Sequence, residues 1–62
     1  MKLTPRHRQI ALLVTEGLQS KHIAARLELS ERTVEWHIAK LFRKFGAHNR
    51  AGFVYRFLKD SG

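Results

Sequence analysis

From Ser30 to Phe45 the chain reads SERTVEWHIAKLFRKF, and neither Gly nor Pro interrupts it before Gly46. Ser30 can accept one of the N–H groups that a first helical turn leaves unpaired, so the stretch is predicted as one helix of about four turns. An advance of about 100° per residue from Val34 gathers Ile38, Leu41 and Phe45 into one sector, with His37 and Phe42 on its flanks. Roughly opposite stand Arg32, Trp36 and Arg43, bordered by Ala39 and Lys40, with Glu35 between that face and the core edge. A chain that contains this helix must bury one side of it and present the other, where a large indole stands among cations.

An indole is costly to leave in water, and its place opposite an intact apolar stripe calls for something to cover it. Trp36 either lies flat across neighbouring side chains as semi-buried surface, or belongs to a face that enters a groove of nucleic acid. In the second reading Arg32, Lys40 and Arg43 meet phosphates or guanine, and Trp36 contacts a thymine methyl or sugar edges. Otherwise the three cations form a solvated basic face. Glu35 can accept from a cytosine amino group, or orient Arg32 or a nearby Lys without touching a base. His37 reads as a half-buried structural histidine.

The remaining chain supports this helix with little material. At 62 residues, 44% of them hydrophobic, it is one small domain spanning 1–62 with room for one modest core. The absence of cysteine removes disulfides and thiolate zinc sites, so helix packing must suffice. Twelve Lys and Arg against five acids give a formal net charge of +7 and a pI near 11.0, which calls for an anionic partner. No apolar run approaches the roughly 18 residues of a membrane span and no charged-then-apolar leader precedes the fold, so the expectation is a soluble, cytoplasmic chain without a membrane partner. His7, His22, His37 and His48 are scattered over separate elements. Without convergent carboxylates or a nucleophile beside its base, no enzyme, metal site or cofactor is expected.

In chain order, Thr4 can cap a first helix with Pro5 at its first position, Ile10, Ala11, Leu13 and Val14 facing inward, and Gly17 as its stop after Glu16. Ser20 can cap a second helix from about Lys21 to Leu27, with Ile23, Ala24 and Leu27 inward. Glu28-Leu29-Ser30 leaves so short a link before the Val34 helix that the pair reads as helix-turn-helix. Asn49 can cap a fourth helix from Arg50 to about Lys59, on which Phe53, Val54, Phe57 and Leu58 can cover the core. Ala51 and Tyr55 add apolar surface beyond that stripe, and a helix apolar on more than one side usually has a second neighbour. Lys21 adds its charge to the unpaired N–H groups opening helix 2, a setting suited to a phosphate, or is a solvated surface Lys. Ser30 and Thr33 can serve likewise at the start of helix 3, although Ser30 can equally do no more than cap.

Leu3-Thr4-Pro5-Arg6, Glu16-Gly17-Leu18, Lys21, Ile23-Ala24, Arg26-Leu27, Leu29-Ser30, Thr33-Val34, His37, Lys44, Gly46 and Asn49-Arg50 together resemble the LuxR-type helix-turn-helix family of bacterial transcription regulators. The individual pieces are weak, but their order and spacing are specific and cover nearly the whole chain. The resemblance implies an all-α, four-helix DNA-binding domain, usually the C-terminal part of a longer regulator. In that family the second helix crosses the DNA backbone, the third reads the major groove and the fourth often pairs two copies. The DNA-binding candidates are accordingly Ser20, Lys21, Ser30, Arg32, Thr33, Glu35, Trp36, Ala39, Lys40 and Arg43, with Ala51, Val54, Tyr55 and Leu58 for weak homodimerisation on double-stranded DNA. Met1 stands just before the first fold-forming residues, so a fragment cut from a longer regulator is expected. A different class of function is a small basic helical module that binds an acidic protein surface of the transcription machinery, with RNA polymerase as the partner.

The chain departs from the family pattern at a few positions. His7 stands where a Glu usually completes a capping box with Thr4, so a more easily frayed start to helix 1 is expected. Gln9 likewise replaces a usual Glu. Glu28 occupies a turn position where Gly is common, and Gly52 replaces a usual acid inside helix 4 at a cost of about 1 kcal/mol relative to Ala.

Overall fold

The computed structural model describes residues 3–61, and among them the chain forms α1 (Pro5–Thr15), α2 (Ser20–Leu27), α3 (Glu31–Phe45) and α4 (Arg50–Ser61), with no strand. Met1, on which the fragment expectation rests, lies outside the described residues. The all-α expectation holds, and α4 runs two residues beyond the predicted Lys59.

Thr4 is extended and its Oγ1 accepts the His7 N–H at 3.1 Å, which supplies the cap that Pro5 leaves room for. At the other end of α1 the Gly17 N–H donates to the Val14 carbonyl at 3.0 Å and the Leu18 N–H to Leu13 at 3.3 Å, with Gly17 at φ +88°. That closure needs a left-handed residue. The same backward bond ends α2, from Leu29 N–H to the Ala24 carbonyl, and α3, from Ala47 N–H to Phe42, both at 2.9 Å. Gly46 supplies φ +65° for α3, whereas Glu28 supplies φ +57° for α2. The turn therefore keeps its shape without glycine.

One expected cap is displaced by a residue. Gln19, not Ser20, is the N-cap of α2, and no side chain covers the first N–H groups of that helix. Ser20 already lies inside the first turn, because the His22 and Ile23 N–H groups both donate to the Gln19 carbonyl at 3.0 Å. In α3 the Ser30 Oγ accepts the Thr33 N–H at 3.0 Å, and in α4 the Asn49 Oδ1 accepts the Gly52 N–H at 2.7 Å, both as anticipated.

The core takes Ile10, Ala11, Leu13 and Val14 from α1, Ile23 and Ala24 from α2, Val34, Leu41 and Phe45 from α3, and Phe53 and Phe57 from α4. Ile38, Phe42, Leu27 and Val54 are half-buried against it. Helix α3 packs against each of the other three. Between α3 and α4 the Phe42 and Phe53 rings stack at 5.3 Å and Phe45 meets Phe53 edge-on at 5.2 Å, while within α4 Phe57 stacks on Phe53 at 5.7 Å. Such pairs add about 0.5–1.5 kcal/mol each beyond the area they bury. Leu58 does not cover the core as expected: it is 54% exposed, because Phe57 fills the inward position and the next residue turns about 100° away.

Candidate nucleic-acid interface

With Val34, Leu41 and Phe45 fixed in the core, helical geometry leaves Arg32, Glu35, Trp36, Ala39, Lys40 and Arg43 on the opposite face of α3, all exposed. Trp36 is 55% exposed. One turn further on, the Lys40 ammonium sits 4.5 Å above the centre of the indole, and the His37 ring meets it edge-on at 5.1 Å. These contacts orient the indole without covering it. No hydrogen bond or ion pair within the described residues ties down the Glu35 carboxylate, so it does not hold Arg32 in place and stays open to an outside donor.

At the start of α3 the two hydroxyls divide their roles. Ser30 Oγ accepts the Thr33 N–H and gives its proton to Thr33 Oγ1 at 2.8 Å. Ser30 is thus occupied as a cap, whereas Thr33 keeps a proton to donate. On α2, Ser20 is half-buried and Lys21 exposed beside the uncapped N–H groups. Unpaired N–H groups, the positive end of the helix dipole and an ammonium are the ingredients of a phosphate contact.

The pairing candidates lie on a separate element. Ala51, Tyr55 and Leu58, spaced four and three residues apart, share the exposed side of α4, with Tyr55 at 65% exposure. Val54 is half-buried beside them, and the Lys59 ammonium stands 5.7 Å from the Tyr55 ring centre.

A contact the sequence reading missed joins His7 on α1 to His37 on α3, with Nε2 and Nδ1 2.9 Å apart. The two positions are far apart in sequence, and only the α1–α3 packing brings them together. Burial lowers the pKa of His7, helped by His37, Lys44 and Lys40; burial also lowers that of His37, helped by Arg6 and Lys40. The start of α1 is held by this ring pair as well as by the Thr4 cap. Among the described residues no group of three or more His, Cys, Asp or Glu could hold a metal ion.

A short α2, a tight turn and an α3 with a packed inner and a basic, aromatic outer face define a helix-turn-helix domain of the DNA-binding kind. Residues 1–57 match the sequence pattern of the bacterial regulatory proteins of the luxR family, and the chain belongs to that family. It is 40% identical over its full length to the response regulator Rre1 of Synechocystis sp., covering 26% of that protein. It is 41% identical over 98% of its length to the probable transcriptional regulator ycf29 of Cyanophora paradoxa, covering 29% of it. The chain thus spans little more than a quarter of the length of these two relatives. The fold superimposes with a TM-score of 0.85 and 33% identity on a chain from the crystal structure of the anti-activator RapF complexed with the DNA-binding domain of the response regulator ComA, covering 89% of this chain and 95% of that one.

Proposed function

We propose that this domain places α3 in the major groove of duplex DNA and so directs a longer transcription regulator, of which it is the C-terminal part, to its sites. The observation that carries this reading is the exposed Trp36 among Arg32, Lys40 and Arg43 on the side of α3 opposite the core. Phosphates are met by these three cations, by Lys21 and the open α2 N–H groups beside Ser20, and by the free Thr33 proton, with Ser30 holding the helix start. Glu35, Trp36 and Ala39 are the non-basic side chains of the face and set base preference. Two copies pair through Ala51, Val54, Tyr55 and Leu58 on half-sites about one helical turn apart, weakly or not at all without DNA. The regulator works in the cytoplasm, where RNA polymerase is its further partner. The capture of the ComA domain by an anti-activator favours a protein-docking role for some face of this fold as well.

Binding to a duplex selected from a random pool, compared with a scrambled one, tests the assignment. Trp36→Ala should keep its helicity yet lose about 1–3 kcal/mol on the selected duplex, the range for a lost base contact. Lys21→Ala should weaken both duplexes alike and reduce the salt slope by about one unit. Affinity indifferent to salt, or equal losses on both duplexes for Trp36→Ala, would overturn it.

A further inference from the structure

The His7 and His37 rings meet edge-on with centroids 4.8 Å apart, and the His37 ring in turn meets the Trp36 indole at 5.1 Å. A chain of three rings therefore runs from the first turn of α1 to the outer face of α3. Two nitrogens facing each other at 2.9 Å share one proton: whichever ring donates, the other must present a bare lone pair. Protonating both rings sets two donors head to head and ends the bond. The charged groups that act on the pair are Arg6 from α1 and Lys40 and Lys44 from α3, all cationic, and among the described residues no carboxylate from α2 or α4 joins them. His7 Nδ1 is buried and finds no hydrogen-bond partner among the described residues, so the His37 bond is the polar tie that holds this ring.

We propose that His7 is a positioning residue for the reading face: through His37 it fixes the edge against which the Trp36 indole rests, so selection among duplex sequences requires the closed histidine pair and is lost when both rings are protonated. The inference rests on α3 being the recognition helix. Separating the rings exposes both to water and lets both protonate, whereas the closed pair keeps its bond only while one ring still presents a lone pair, so acid favours the open pair. Added positive charge moves non-specific attraction the other way, since phosphate contacts hold or strengthen as base selection weakens. A purely structural bond would lower both together.

The test follows the domain from pH 7.5 to pH 5.0 on the selected and scrambled duplexes, with helicity recorded at each pH. In the wild-type domain the ratio of the two affinities should fall at least about threefold while binding to the scrambled duplex does not weaken. The carboxamide of His7→Gln can donate or accept without titrating, so that variant should keep the ratio at both ends of the range. His7→Leu, which has neither capacity, should show a lowered ratio throughout. A wild-type ratio independent of pH, or an unaltered ratio in His7→Leu at pH 7.5, overturns the proposal; should His7→Leu not fold, the wild-type and His7→Gln profiles decide. Trp36 is the only tryptophan of the chain, and an imidazolium beside an indole quenches its emission, so the free domain reports the rings without DNA. Emission unresponsive to pH overturns the proposal on its own. An intact emission titration with no duplex preference at any pH instead overturns the reading of α3, and the role of His7 in selection with it.

Discussion

Glu28 carries the one left-handed backbone among the described residues that is not glycine. A Cβ at such a φ is crowded by the following carbonyl, at a cost of roughly 1–2 kcal/mol that glycine escapes. Glu28→Gly should therefore raise stability by about 1 kcal/mol, seen as a higher urea midpoint with an unchanged slope. An unchanged or lower midpoint would mean that the Glu28 side chain returns the strain elsewhere. The sequence flags this position through the brevity of the link, yet it cannot say whether Glu accepts the conformation or the turn changes shape. The outer face of α3 is legible residue by residue because Val34, Ile38, Leu41 and Phe45 fix the helix phase. The His7–His37 bond is not legible, since it depends on how two separate helices pack. Ser20 is misplaced by one position because cap preference favours its hydroxyl, whereas the helix start is set by the Gln19 carbonyl.

Helix α4 shows how two local preferences offset each other. Gly52 costs about 1 kcal/mol of helix propensity relative to Ala, but a Cβ there would stand 3.2 Å from Asn49 Oδ1, the atom that accepts the Gly52 N–H. Gly52→Ala should thus leave the melting temperature nearly unchanged, because the gain in propensity is spent in displacing the cap. A clear rise would show that the Asn49 side chain yields freely. The inner face of this helix is decided by bulk: Phe53 and Phe57 occupy the core, which leaves Leu58 outside with Ala51 and Tyr55. Periodicity alone could not rank Leu58 against Phe57, as adjacent residues at a stripe edge are separated only by what the neighbouring helix accommodates. If two copies pair through α4 as proposed, Tyr55→Glu should abolish cooperative binding to paired half-sites while leaving single half-site affinity within about twofold. Retained cooperativity would move pairing to another surface.

The whole domain inherits a pH dependence from its histidine pair. Both rings have lowered pKa values in the folded state, so below about 6.5 the unfolded chain binds more protons than the folded one. Stability is then complete above that pH, declines as pH falls through it, and stops declining once the folded rings protonate too. Melting temperatures at pH 8 and pH 5 should differ in that direction, with a smaller difference in His7→Gln; an opposite sign would require a carboxylate partner for the rings. The phenylalanine seam between α3 and α4 has a kinetic consequence. These rings belong to helices joined by residues 46–49 alone, so they can meet by closing a very short loop, a step on the microsecond scale or faster. Phe53→Leu should accordingly slow refolding, whereas Val14→Ala, in a helix whose partners α3 and α4 lie beyond α2 along the chain, should mainly hasten unfolding. Chevron plots of the two variants would show it, and they would mean that the helix proposed to face DNA belongs to the folding nucleus and is among the last parts of the chain to come apart.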